Sequence, residues 1–147
     1  MNNQVTTAEQ LATTPWILFE VLGAAMCIEE RADTALAKVG LSLPKLGVLW
    51  VLSSADQPLA LSELARCNKC VRSNMTQLVD RLEADGLVRR VNDPDDRRIR
   101  RAALTAAGRQ AYAEGQRIVA TQEREINNSL SVSDKLTLFR VLSGLSS

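Results

Sequence analysis

The amino-acid order predicts a mainly α-helical chain carrying one small β-hairpin, and three observations lead there. In the stretch VRSNMTQLVDRLEADG, residues Met75, Leu78, Val79 and Leu82 fall at i, i+3, i+4 and i+7, the apolar stripe of a helix. Behind it, Gly86 supplies a left-handed stop, and two short β-prone runs, Leu87–Val91 and Ile99–Leu104, flank an Asn-Asp-Pro-Asp turn. Longer apolar stripes at helical spacing occupy both ends of the chain, Leu18 to Val39 and Leu136 to Leu145. A helix followed directly by a basic hairpin is the arrangement of a winged helix-turn-helix. The two end stripes then form a helical dimerisation region.

In chain order, Thr14-Pro15 reads as N-cap and first helical residue of a helix running to Val39, with Gly40 as its stop. Its stripe is Leu18, Val21, Leu22, Ala25, Ile28, Ala32, Ala35, Leu36 and Val39. Some 25 residues is long for a helix in so small a domain, so a second subunit is the expected partner. Ser42-Leu43-Pro44 begins a second helix to about Leu52, carrying Leu46, Leu49 and Trp50. Asp56-Gln57-Pro58 is a turn, and Ser62–Cys67 a short helix with Leu64 and Ala65 inward. Asn68-Lys69 connects to the stretch from Val71, completing a helix-turn-helix. Beyond the hairpin, Thr105 caps a helix to about Asn127, and Ser131-Val-Ser-Asp134 resembles a capping box before the last helix. One domain, 1–147, is therefore expected, with 14–39 and 105–147 as dimerisation helices and 42–104 as the winged region.

Composition narrows the class. With 147 residues, 46% hydrophobic and 24% charged, the chain has the make-up of a globular domain with a sizeable core. No window approaches the ~18 consecutive apolar residues of a membrane span. The N-terminal MNNQVTTAEQ lacks the basic and apolar regions of a signal peptide, so a cytoplasmic location is expected. There the three cysteines should be thiols. Net charge is only +1, but residues 66–101 hold ten Lys and Arg against six Asp and Glu, leaving the remainder mildly acidic. Such a basic block points to a polyanion-facing surface. With no histidine, no glycine-rich phosphate loop and no nucleophile motif, neither catalysis nor a cofactor or metal is expected.

Opposite the apolar stripe, the stretch from Val71 carries Asn74, Gln77 and Arg81, with Arg72 and Ser73 at its start. Asn, Gln and Arg are the side chains that pair bidentately with purine edges in a major groove. Six arginines, Arg89, Arg90, Arg97, Arg98, Arg100 and Arg101, crowd the hairpin. The pattern favours duplex DNA over RNA, whose deep A-form major groove a helix cannot read. The alternative is a winged-helix module for protein–protein or RNA contact without operator DNA.

Cys67 and Cys70 form a C-x2-C pair. It reads as a redox switch, as half of a zinc site that no histidine completes, or as a surface thiol beside an apolar replacement. Cys27 lies one turn before Arg31, where a cation raises thiol reactivity, or it is a small residue at a dimer contact. Trp16 and Trp50 are expected in the core or at the border of an effector pocket.

The segments LSELA (61–65), NMTQLVDRLEADGLVRR (74–90) and Asp96-x-Arg98, then five residues and Leu104-Thr105, resemble the MarR family of multiple-antibiotic-resistance regulators. The order of helices is similar over nearly the whole chain. The resemblance implies a homodimeric transcriptional regulator, often a repressor released by a small aromatic or oxidising effector, on a palindromic double-stranded operator. It implies that Arg72, Ser73, Asn74, Thr76 and Gln77 lie in the major groove and that Arg98 on the wing enters the minor groove. It further implies that Asp96 anchors the wing through a nearby arginine, with Arg81 the expected partner. Two positions depart from the family pattern. Lys69 and Cys70 replace a glycine and an aliphatic residue, and Val71 stands at the usual N-cap.

Overall fold

The computed structural model describes residues 17–67, 75–96 and 98–145. The chain divides into two compact units, residues 1–31 and 32–147. The expected Thr14-Pro15 helix start and Trp16 lie outside the described residues.

Within the first unit, the described residues belong to helix α1, Ile17–Ala37, which continues into the second. Their apolar side chains Ile17, Leu18, Phe19, Val21, Leu22, Met26 and Ile28 are exposed.

In the second unit, the end of α1 buries Ala32 and Leu36 in the core, so the predicted stripe divides along its length. Gly40, at φ +73°, then reverses the chain. The Gly40 amide donates to Ala37 O at 3.0 Å and the Leu41 amide to Leu36 O at 3.1 Å, the paired bonds of a glycine C-cap. Helix α2, Leu43–Ser54, starts two residues later. Ser42 Oγ accepts the Lys45 amide at 3.4 Å and Asp33 Oδ1 accepts the Leu43 amide at 2.6 Å. Two otherwise orphaned donors of α2 are thereby satisfied, one of them by an acceptor on α1.

Helix α2 buries Leu46, Val48, Leu49 and Leu52, whereas Trp50 is 57% exposed. The expectation of a buried Trp50 is corrected by helical geometry. Trp50 stands two residues from both Val48 and Leu52, which puts it on the opposite face.

Strand β1, Leu59–Ala60, and helix α3, Leu61–Cys67, come next. The strand is absent from the expected elements because two residues carry no readable alternation. Its evidence is the pairing Leu59↔Ala102 and Ala60↔Arg101. Leu64 of α3 is fully buried, but Ala65 is exposed, contrary to its expected inward position.

Helix α4, Met75–Ala84, buries all four residues of the predicted stripe, Met75, Leu78, Val79 and Leu82. Each such side chain contributes about 1.5–3 kcal/mol of transfer free energy. Gly86, at φ +72°, ends the turn beyond it, with the Leu87 amide donating to Leu82 O at 2.9 Å.

Strands β2, Val88–Asn92, and β3, Arg100–Leu104, pair antiparallel from Val88↔Leu104 to Asn92↔Arg100. The sheet order is β1-β3-β2, so β3 is central. Both hairpin strands begin one residue later than expected, and Ile99 lies in the turn.

Thr105 caps helix α5, Ala106–Ser129, accepting the Gly108 amide at 3.0 Å. Its hydroxyl also donates to Gly86 O at 2.7 Å, locking the helix start to the glycine turn. Helix α6, Val132–Leu145, carries the predicted capping box. Ser131 Oγ accepts the Asp134 amide at 3.1 Å, and Asp134 Oδ2 accepts the Ser131 amide at 3.2 Å. Asp134 substitutes for the usual Glu, and its carboxyl is held below the ordinary range by the Ser131 hydroxyl. None of the residues of α6 is buried.

Candidate nucleic-acid interface

Helix α4 presents Thr76, Gln77, Asp80 and Arg81 as exposed side chains while its other face fills the core. Burial of the stripe thus fixes the rotation of the helix and the direction of its polar face. Of the expected base readers, Arg72, Ser73 and Asn74 lie outside the described residues, as does Arg97 on the wing. Thr76, Gln77 and Arg81 share the outer face, and Arg98 is exposed at the turn of the hairpin.

The five described hairpin arginines separate into two groups. Arg90 turns back to α4, with Nη2 2.6 Å from Asp80 Oδ1 and Nη1 2.6 Å from Glu83 Oε2. Its own amide donates to Glu83 Oε1 at 2.9 Å. The backbone amide and guanidinium of Arg90 lower the Glu83 carboxyl below its ordinary pKa. Arg101 is similarly occupied. Its Nε–H donates to Asp93 Oδ2, and its Nη1 lies 3.2 Å from Pro58 O and 3.3 Å from Glu63 Oε2. Among the described hairpin arginines, Arg89, Arg98 and Arg100 are the exposed ones. Counting arginines along the sequence therefore overstates the charge that faces outward.

The wing turn is organised by Asp93, 5% exposed. Its Oδ1 accepts the amides of Asp95 at 2.8 Å and Asp96 at 3.0 Å, while Oδ2 takes Arg101. Burying a carboxylate is costly unless its charge is paired and its lone pairs are used, and both conditions hold here. Arg101, followed by the two turn amides, holds the Asp93 carboxyl below its usual pKa.

This overturns the expected pairing of Asp96 with Arg81. Asp96 is exposed, and its Oδ1 accepts the Arg98 amide at 2.9 Å. It shapes the turn that carries Arg98, while the buried ion pair belongs to Asp93. The Asp-Pro-Asp-Asp run held the signal, because an Asp leading a turn accepts amides two and three residues on. Sequence reasoning also passed over Glu63, Asp80 and Glu83, whose partners are supplied by strands elsewhere in the chain.

Cys27 and Cys67 are exposed free thiols, while Cys70 lies outside the described residues. No helix among the described residues is long and apolar enough to cross a membrane.

An apolar-anchored helix with a polar outer face, clamped to a three-stranded sheet whose hairpin exposes Arg89, Arg98 and Arg100, defines a winged helix-turn-helix. Residues 39–99 match the model of the MarR family. The chain is 31% identical over 98 residues to the transcriptional activatory protein BadR of Rhodopseudomonas palustris, covering 65% of this chain and 56% of that protein. It is 30% identical over 81 residues to the HTH-type transcriptional repressor IacR of Pseudomonas putida, covering 55% and 48%. The chain thus spans about half the length of these two relatives. The solved structure of the transcriptional repressor CouR bound to a 23-mer DNA duplex superposes with a TM-score of 0.80 at 25% identity, covering 96% of this chain and 98% of that one.

Proposed function

We propose that this protein is a homodimeric, sequence-specific DNA-binding transcriptional regulator of the MarR type, acting as a repressor. The observation that carries the reading is the joint exposure of Gln77 and Arg81 on α4 and of Arg98 at the hairpin tip. A helix face able to read bases and an exposed tip arginine able to enter a narrow minor groove then belong to one clamped body. Arg72, Ser73, Asn74 and Thr76 extend the base-reading face in this reading, and Arg97 the wing. Relatives named as repressors, one of them bound to duplex DNA, support it.

The division of labour follows. Residues 42–104 contact DNA, and 14–39 with 105–147 pair two copies. The exposed apolar side chains of α1 and of α6 support the pairing, because each face leaves apolar surface in water unless covered. Release by a small aromatic molecule or an oxidant belongs to the same reading, and the exposed thiols of Cys27 and Cys67 are open to an oxidant. The protein works in the cytoplasm, where its DNA lies, and performs no catalysis.

The test is fluorescence anisotropy of the full chain against a duplex it selects from a random-sequence DNA pool, a scrambled duplex, and an RNA duplex of the selected sequence. Preference for the selected DNA by at least about a thousandfold, the low end for specific binders, is the expected result. Equal binding to all three would leave only a protein-contact or RNA-contact role.

A further inference from the structure

Arg101 is the one hairpin arginine, among those described, that faces three acceptors from three separate chain segments. Asp93 comes from the wing turn, Pro58 O from the approach to β1, and Glu63 from α3. Its place in the sheet explains how. Arg101 sits on the central strand, opposite Ala60 of β1 and Val91 of β2, where a side chain can reach both the wing turn and the helix beyond β1. Glu63 is itself fixed, since its Oε2 also accepts the Ala60 amide at 2.8 Å. The guanidinium is therefore the node between a turn that carries Arg98 and a helix that leads towards α4.

We propose that Arg101 is a positioning residue that sets the pitch of the wing against the helix-turn-helix, so that Arg98 and the face of α4 meet one duplex in register. The inference rests on the DNA-binding reading above and adds to it a residue that does not touch DNA. A planar fork with fixed donor directions suits the task, because it can satisfy several acceptors at defined angles. A lysine at the same position keeps the charge but presents a single point, which cannot serve Asp93, Pro58 O and Glu63 together. The competing role is a phosphate contact. It is disfavoured by the geometry, in which the side chain is 25% exposed and its Nε and Nη1 donors are already directed into the protein.

The test uses the full chain and three variants, Arg101→Lys, Arg101→Met and Glu63→Gln, each checked for a cooperative thermal transition. Glu63→Gln lies outside the wing and can retain the Ala60 bond, so it reports even if the Arg101 variants fold poorly. Amide hydrogen exchange without DNA is the first measurement. The amides of Asp95, Asp96 and Ile99, which close the turn, should exchange about tenfold faster or more in Arg101→Lys, with a smaller change in Glu63→Gln. Unchanged exchange in both would overturn the linkage.

Anisotropy over a salt series is the second measurement, on the duplex selected by the wild-type protein and on its scrambled version. Arg101→Lys should weaken binding to the selected duplex by about tenfold or more. Binding to the scrambled duplex and the salt slope should stay at wild-type values. If instead Arg101→Lys binds like wild type while Arg101→Met flattens the log K against log salt slope by about 0.9, Arg101 neutralises a phosphate and the proposal is wrong. If the wild-type protein selects no duplex, the DNA-binding reading fails and the positioning role fails with it. The exchange data would then still show separately whether Arg101 ties the wing to α3.

Discussion

Asp93 and Arg101 face each other across the base of the wing, eight residues apart in sequence, and their ion pair is the buried charge contact of the hairpin. Its dependence on pH follows from the direction of the Asp93 shift. The folded carboxyl titrates below its unfolded value of about 3.9, chiefly because of Arg101. A depressed carboxylate contributes stability that is fully present above the unfolded pKa and is lost as pH falls through the folded one. Wild-type stability should therefore decline in acid below about pH 4, and Asp93→Asn should flatten that decline while lowering stability at neutral pH. Urea melts across the acid range measure both. Parallel acid limbs for the two proteins would show that Asp93 does not carry the effect.

Close approach of α5 to the glycine turn gives a second expectation. A Cβ built on Gly108 would stand 2.0 Å from the backbone oxygen of Leu87, which cannot move aside as a side chain can. At Gly115 the nearest atoms are side-chain methyls, Leu46 Cδ1 at 2.6 Å and Leu41 Cδ1 at 2.9 Å. Alanine normally gains about 1 kcal/mol over glycine within a helix. Here the clash should outweigh it at position 108, where Gly108→Ala should destabilise by about 1–3 kcal/mol. Gly115→Ala should cost less. Chemical denaturation of both variants tests the order, and a stabilised Gly108→Ala would contradict the contact.

The apolar face of α6 predicts the assembly. Phe139 is 75% exposed, so a charge there disturbs no core contact of a lone subunit. If two copies cover it, Phe139→Glu places an unpaired charge between them at a cost of several kcal/mol. Sedimentation should show a wild-type dimer and a folded Phe139→Glu monomer. A monomeric wild type, or an unaffected variant dimer, would remove α6 from the interface.

Separation of the hairpin arginines into exposed and occupied ones predicts different losses in DNA binding. Arg98→Ala should weaken binding to selected and scrambled duplexes alike and, if it displaces a counterion, flatten the salt slope by about 0.9. Arg90→Ala breaks the bonds to Asp80 and Glu83 and should lower thermal stability with little change in that slope. Gln77→Ala should cost about 1–3 kcal/mol on the selected duplex alone. Anisotropy titrations on both duplexes, together with thermal melts, distinguish the three. Equal loss on both duplexes for Gln77→Ala would mean that this face does not read bases.

By itself, the sequence determined what depends on local periodicity and local chain chemistry. The stripe of α4, the glycine stops at 40 and 86, the Thr105 cap and the Ser131–Asp134 box were all legible, because their causes lie within a turn or two of the chain. The hairpin was legible from its turn residues, within one residue at each strand start. Tertiary structure decided which of several local choices survived. Trp50 lost its place in the core because Val48 and Leu52 define the buried face of α2. Strand β1 exists because β3 offers its free edge to Leu59 and Ala60. The wing anchor passed from Asp96 to Asp93, and Arg90 and Arg101 were drawn inward, because carboxylates from α3, α4 and the turn converge on them. A charge seen along the chain has no direction. Only the packing of distant segments determines whether an arginine meets a carboxylate or remains open to solvent and a phosphate.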